Sequence, residues 1–340
     1  MFYLKTTETC NLNCRHCFTN GTMGAKIYFN PTKVADWIKK FHAEKYNVGD
    51  TAHFEFHGGE PFLAPIDHMK QVYNECQDLF PSSSWGITSN LTFKLTDKHI
   101  DFIKTELKGR VGTSWDPNIR FANIKQYRLW HQNVKTLLRE NITIKLFISV
   151  TKDTIAYKPI TLLRWIRRLG VQEVSFERLT SNGSAKKHPD IFPTNIELNA
   201  WYLLLHHHSM DYNARNWFVN DSLEDVYEKF ERGVNNCGTF CRDCEEKIFT
   251  LNADGSVSGC PNSAPEFNFG TIDDDIKTLI NSPIRIKSII EERSRNPNCY
   301  SCPVFKYCNG DCHQIEWQGN VCGAPKRLMM HLLEDRDSKW

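Results

Sequence analysis

Through the first 180 residues, short β-rich runs alternate with stretches of helical apolar spacing, and thirteen cysteines fall mostly into two separate regions. These two observations predict an α/β protein: a partial (β/α)6 barrel of the TIM type over 1–180, a helical connector over 181–234 and a small cysteine-rich domain over 235–340. Strands that alternate with helices imply a parallel sheet with the helices outside, and about six such units fit a partial barrel better than a complete eightfold one. A chain of 340 residues, 40% hydrophobic and 24% charged, can bury one large core and a smaller module. With 42 basic and 40 acidic residues the net charge is +2, so no charge excess points to nucleic acid or an acidic membrane surface. No apolar run approaches the roughly 20 residues that span a bilayer, and MFYLKTTETC lacks the charged and apolar regions of a signal peptide. The expected location is the cytoplasm.

The elements follow in order. FYLKTTE, AHFEF, SWGITS, RVGTSW, ITIKLFISV and VQEVSFE read as strands. PTKVADWIKKFHAE, APIDHMKQVYNECQDLF, TDKHIDFIKTELK, NIKQYRLWHQNVKTLLRE and KPITLLRWIRRLG read as the helices between them. In barrels of this kind the chemistry sits on loops after the C-terminal ends of the strands. Strand one ends in TETCNLNCRHCF, which carries Cys10, Cys14 and Cys17. Strand two ends in HGGEP, with Gly58, Gly59 and Glu60, where two glycines allow close backbone approach to a ligand. Strand three ends in TSN, with Ser89 and Asn90, and strand four in SWDP, with Ser114 and Asp116. These short polar side chains over the barrel mouth suit ribose hydroxyls or a carboxylate. Arg120 lies just beyond, able to grip a carboxylate bidentately. Ser149 follows strand five, and ERLTSNGSA, with Glu177 and Leu179, follows strand six. Each has an ordinary reading too: a GG pair is often only a turn, and Ser or Asn at a strand end often caps the next helix.

Near residue 181 the pattern stops. A polar stretch leads into helical segments around Asn195 to Met210 and Ser222 to Arg232. The run His206-His207-His208 lies on the first of these. Consecutive helical residues point to different faces, which argues against three ligands for one ion and favours a partly exposed polar face. KIFTLNADGSVSGC reads as a hairpin around Asp254-Gly255 that delivers Cys260 at its end.

With no export signal and a long chain, the cysteines favour metal binding over disulfides. Cys76, inside an amphipathic helix, reads as a packed thiol. Three thiolates can hold three irons of a [4Fe–4S] cluster and leave the fourth open to a small ligand; a zinc site is the alternative. The CxxxCxxC triplet, the GGE element and the polar strand ends resemble the radical S-adenosylmethionine (radical SAM) superfamily. That resemblance implies SAM on the open iron and reductive cleavage to a 5′-deoxyadenosyl radical that takes a hydrogen from substrate. It further implies SAM contacts from Gly58, Gly59, Glu60, Ser89, Asn90, Ser114, Arg120, Ser149 and Leu179, and an electron donor of the flavodoxin or ferredoxin kind.

The C-terminal cysteines, Cys237, Cys241, Cys244, Cys260, Cys299, Cys302, Cys308, Cys312 and Cys322, resemble the SPASM domain, which carries auxiliary iron–sulfur clusters. Two fully ligated [4Fe–4S] clusters need eight thiolates, and this region supplies nine. The resemblance implies that Cys299, Cys302, Cys308 and Cys322 hold one cluster, and that Cys260 and Cys312 join two of Cys237, Cys241 and Cys244 on the other. Two structural zinc sites are the alternative, since CxxC pairs also read as zinc ribbons.

SWDPNIRF, CPVFKYCNGDCHQIEW and CGAPK look most like radical SAM cyclases of ribosomally made precursor peptides. The expected activity is a radical SAM/SPASM oxidoreductase that acts as a peptide maturase, joining side chains by a cyclophane, carbon–carbon, ether or thioether bond. In the sulfatase-maturase pattern an aspartate base follows the hairpin cysteine, but Pro261 stands here. That reading and a small-molecule dehydrogenase are the runners-up; a non-catalytic metal-binding protein is the third. Glu177, Asp116 and His313 are the candidate bases. Only nine residues precede Cys10, so a leader peptide is expected to bind the barrel and SPASM surfaces or a separate partner protein.

Overall fold

The computed structural model describes residues 1–19, 21–44, 51–233 and 242–337. Cys237 and Cys241 lie outside the described residues. Six parallel strands alternate with helices as expected: β1 (Phe2–Lys5), β2 (Thr51–His57), β3 (Ser82–Ile87), β4 (Arg110–Ser114), β5 (Thr143–Ser149) and β6 (Glu173–Glu177). Between them run α1 (Pro31–Ala43), α2 (Ile66–Cys76), α3 (Asp97–Thr105), α4 (Ile124–Arg139), α5 (Lys152–Ile155) and α6 (Pro159–Leu169).

Local chemistry sets the helix ends. Asn30 accepts from Lys33 N at the head of α1, where Pro31 supplies a preset first position. Gly170, at φ 88°, ends α6 in the left-handed conformation. The sheet alternates with period two. Phe2, Leu4, Phe54, Phe56, Trp85 and Ile87 are buried in the core beside Trp37 and Phe41 of α1. Phe54 stacks on Trp85 with 4.2 Å between ring centroids, and Phe2 stacks on Phe54 at 4.9 Å. The intervening positions, Tyr3, Lys5, Glu55 and His57, fall on the opposite face and give the barrel a polar lumen.

The barrel has a seam. Strands β1–β3 belong to one sheet and β4–β6 to another, and the two meet through the bridge of Thr88 to Gly112 and the bond from Ser89 N to Gly112 O at 2.9 Å. Both outer edges are extended in ways the sequence pattern does not show. A two-residue strand, β7 (Val219–Asn220), pairs in parallel with β6. The cysteine-region hairpin, β8 (Phe249–Leu251) and β9 (Ser256–Ser258), pairs in parallel with β1 through β8, and β10 (Gly270–Thr271) follows β9. The sheet order is therefore β10-β9-β8-β1-β2-β3, and the hairpin continues the barrel wall. An open barrel leaves β1 as an edge with unpaired peptide groups, and β8 satisfies them.

The connector holds α7 (Asn195–Asp211), started by a Thr194–Glu197 capping box, and α8 (Asp221–Arg232). The cysteine region adds α9 (Cys244–Lys247), α10 (Ile276–Ile280), α11 (Pro283–Arg293), α12 (Phe305–Cys308) and α13 (Lys326–Asp337), the last packed against α7. Among the described residues no helix is long and apolar enough to cross a membrane.

Candidate active site

The triplet loop leaves β1 and is pinned on two sides. Gly59 N donates to Thr7 O and Glu60 N to Thr9 O, each at 2.9 Å. A Cβ at Gly59 would lie 1.9 Å from Thr9 O, and one at Gly58, where φ is +135°, 2.4 Å from Thr7 O. The two glycines thus permit the approach of this loop to the cysteine loop. That is a structural reason for them beside the expected approach to a ligand.

Cys10 Sγ receives Leu12 N and Asn90 Nδ2, both at 3.4 Å, and Asn90 also donates to Asn11 Oδ1 at 2.7 Å. Cys14 is buried, with Sγ 3.6 Å from Arg120 O, while Cys17 Sγ lies 3.1 Å from Thr19 Oγ1. Burial pushes the Cys10 thiol up to about 11, with the charges of Glu60 and Cys17 adding to it. It pushes Cys14 up to about 12, against the pull of the Arg120 guanidinium and with Cys17, Asp116 and Cys10 adding. The three sulfurs therefore sit close enough to feel one another's charge. Three thiols on one loop, Cys14 buried and Cys10 and Cys17 half-buried, with the Arg120 guanidinium beside Cys14, are a donor set suited to a metal or iron–sulfur group that replaces the protons.

Behind this loop lies Glu60, fully buried. Its carboxylate accepts from Phe62 N at 3.1 Å, Ser89 Oγ at 2.8 Å and Asn90 N at 2.7 Å, tying the ends of β2 and β3 together. Glu60 and Ser89, expected to touch SAM through their side chains, have those side chains committed to each other inside the protein. Burial raises the Glu60 carboxyl to about 7, opposed by these hydrogen bonds and by Arg120. A raised carboxyl contributes stability that is full below 4.5 and is lost as pH rises through about 7. Glu60→Gln would turn an amide N–H toward one of three donors. An unsatisfied buried group of this kind costs about 1–3 kcal/mol. Thermal melts should show the variant less stable than wild type at pH 5 and without the wild-type decline toward pH 7.

Asp116 differs from the expected base. It is fully buried, with Oδ1 accepting Ser149 N at 2.6 Å and Oδ2 facing Arg120 Nε at 2.5 Å and His16 Nε2 at 3.1 Å. Burial opposes ionisation of this carboxyl, but Arg120, His16 and the Ser149 amide outweigh it and hold the group below the usual carboxylate range. Arg120, expected to grip a carboxylate of SAM, spends its Nε–H on Asp116 and approaches His16 Nε2 with Nη2 at 3.3 Å. His16, inside the triplet itself, is the partner that sequence reasoning missed; only its place between Cys14 and Cys17 could have flagged it. Ser149 contributes its backbone N–H, and Ser114 and Leu179 are half-buried at the ends of β4 and β6. Glu177 is exposed at the end of β6, where Oε1 accepts Ser175 Oγ at 2.5 Å.

Among the described residues, the thiols of the cysteine region fall in two places. Cys299, Cys302, Cys308 and Cys322 line one cavity of about 650 Å³. Cys260 feels the charge of Cys312, and burial raises both thiols. Cys244 N and Glu245 N donate to the buried Glu292 carboxylate at 3.0 and 2.8 Å, and Cys260 N to Glu245 at 3.3 Å. His313 bridges these carboxylates, 3.4 Å from Glu245 and 3.8 Å from Glu292. Tyr3 feels Cys244 and Cys260, and Lys5 feels Cys260 and Cys17, so the lumen wall runs from the triplet to the hairpin cysteine.

Residues 241–303 match SPASM, an iron–sulfur cluster-binding domain. The uncharacterized protein MJ0907 of Methanocaldococcus jannaschii is 25% identical over 206 residues, covering 58% of this chain and 68% of that protein. Among solved structures, anSMEcpe with bound AdoMet and a Cp18Cys peptide aligns over 100% of this chain and 99% of its own, at 15% identity and TM-score 0.79. Streptococcus suis SuiB bound to the precursor peptide SuiA aligns over 92% of this chain and 71% of its own, at 15% identity and TM-score 0.64. Likeness at such identities is one of fold. A β1 loop with three thiols and a polar parallel barrel thus belong to the fold shared with anSMEcpe and SuiB, and residues 241–303 match the SPASM iron–sulfur cluster-binding domain.

Proposed function

We propose that the protein is a radical SAM peptide or protein maturase. It abstracts a hydrogen from a side chain of its substrate and forms an intramolecular crosslink in a precursor peptide. The observation that carries this reading is the triplet loop after β1, where Asn90 donates to Cys10 and Cys14 lies against Arg120 O, beside a polar lumen whose wall the Cys260 hairpin continues. A [4Fe–4S] cluster on Cys10, Cys14 and Cys17 with SAM bound would supply the 5′-deoxyadenosyl radical.

The chain's own residues do the rest. Gly58 and Gly59 seat the strand-two loop on the triplet, Glu60 and Ser89 fix Asn90, and Asn90 donates to the Cys10 sulfur. The Arg120 charge favours the Cys14 thiolate. The crosslink removes two hydrogens: one leaves as the abstracted atom, the other as a proton plus an electron. Glu177, at the exposed end of β6, is our choice of base for the proton, since Arg120 engages Asp116 and His313 lies between two carboxylates. Cys260 and Cys312 would help hold an auxiliary iron–sulfur group, which would supply an acceptor for the electron. The likeness to SuiB, bound in its crystal structure to the precursor peptide SuiA, supports a peptide substrate. The whole-length likeness to anSMEcpe, bound to AdoMet and a Cp18Cys peptide, also supports a peptide substrate, and oxidation of one side chain on the sulfatase-maturase pattern is the second reading. Pro261, where that pattern has its aspartate, weighs against it.

The test is the anaerobically reconstituted protein incubated with SAM and reductant. About 12 irons per chain and formation of 5′-deoxyadenosine are expected. Bound zinc with SAM left intact would overturn the proposal in favour of a metal-stabilised interaction protein.

A further inference from the structure

Three imidazoles meet where α7 and α13 pack together. His206 and His207 on α7 and His331 on α13 each place a ring nitrogen within 4.8 Å of a ring nitrogen of both others. Their ring centroids lie 5.4 Å (His206–His207), 5.4 Å (His206–His331) and 4.9 Å (His207–His331) apart. The triple-histidine run on its own does not make a trio, because consecutive helical positions diverge. His208 turns to α6, where its Nδ1 accepts Ile160 N at 3.2 Å. The third ligand arrives instead from a helix more than a hundred residues downstream.

From this geometry we infer a third type of metal site: a tris-histidine site for a divalent first-row transition ion, joining α7 to α13. Four features of the chemistry favour it. Imidazole nitrogen is a ligand common to zinc, copper, nickel and iron, and three of them with an open position form a familiar zinc set. His206 is buried and its Nδ1 is bonded to the Tyr227 hydroxyl at 2.8 Å, which leaves Nε2 for the ion and supplies the outer-shell partner that ligating histidines use. His331 Nε2 lies 3.5 Å from a carboxylate oxygen of Asp335, one turn on, which is a further outer-shell neighbour at the rim. The span to close is small: zinc–nitrogen bonds of about 2.0–2.1 Å at a tetrahedral ion set nitrogens roughly 3.3 Å apart, within reach of ring rotation from 4.8 Å.

The site has a definite place in the fold. His331 also forms part of the wall of the cavity lined by Cys299, Cys302, Cys308 and Cys322. An ion here would clamp the C-terminal helix that covers that cavity against the connector.

The test uses protein whose cysteines are already filled by reconstitution with iron and sulfide, titrated with zinc chloride by isothermal calorimetry. One saturable zinc per chain is expected in wild type. His207→Ala and His331→Ala, both at partly exposed positions, should each weaken it at least about tenfold, and Tyr227→Phe by about 10- to 100-fold. Iron per chain and circular dichroism of all variants should match wild type. No zinc uptake by the iron-loaded protein would overturn the inference. So would uptake equal in wild type and both histidine variants, which would locate the zinc on residual thiols.

Discussion

Cys14→Ala is expected to reduce 5′-deoxyadenosine formation to background and to lower bound iron by about four per chain, while leaving the auxiliary iron in place. Cys14 is the most buried of the three thiols, with its sulfur 3.6 Å from Arg120 O and its ionisation aided by the Arg120 guanidinium. Alanine removes one of three donors from a group that already lacks a fourth. It also leaves the Arg120 charge facing a methyl. Two remaining thiols, one raised to about 11 by burial, cannot hold a cluster against loss to solvent. Cys76→Ala is the control. Cys76 is wholly buried, belongs to α2 and has Ala35 O at 3.9 Å as its polar neighbour. Its loss should cost about 1 kcal/mol of stability and no iron. If Cys14→Ala cleaves SAM at the wild-type rate, the triplet is not the initiating site and the proposed activity fails.

Much of this was legible in the residues, for identifiable reasons. The barrel strands are short, β-rich and separated by long amphipathic helices such as α4 and α6, so the switch from period two to period 3.6 marks each boundary. The hairpin was announced by Asp254-Gly255, and Gly255 sits at φ +87° as such a turn requires. What was hidden is non-local. Nothing in VN at 219–220 or FTL at 249–251 says that these strands extend the two free edges of the barrel, because edge pairing depends on which peptide groups the open barrel leaves unsatisfied. The site was legible as residue types but not as orientations. Ser89, Glu60, Asp116 and Arg120 look like ligand contacts when read along the chain. Folded, their polar atoms meet one another, because a polar residue at a strand end that folds inward must find a protein partner. The histidine trio was missed for the same reason: its third member lies on α13, and no spacing along the chain links it to α7.

The largest expected loss of stability is at Arg178→Met. Arg178 leaves the end of β6 and reaches into the cysteine region. Nη2 donates to Asp311 Oδ1 at 2.8 Å, and Nη1 donates to Asp311 Oδ2 and to Gly323 O at 3.0 Å. The side chains are only 10% and 5% exposed. Asp311 belongs to a turn in which Asn309, Gly310 and Asp311 all have positive φ, 51°, 83° and 60°. That turn reverses the chain between Cys308, which lines the four-thiol cavity, and Cys312, which feels Cys260. Arg178 thus braces the hinge between the two groups of thiols. Removing one partner of a buried pair leaves an uncompensated charge and costs about 3–5 kcal/mol. The melting temperature should fall and iron should be lost from the auxiliary sites before the triplet. Arg178→Met combined with Asp311→Asn separates charge from packing, because asparagine tolerates the left-handed backbone and carries no charge to strand. The double variant should recover part of the stability lost in Arg178→Met alone. If it does not, the lost bond to Gly323 O and the packing of the arginine stem carry the effect, and the carboxylate contributes nothing to the brace.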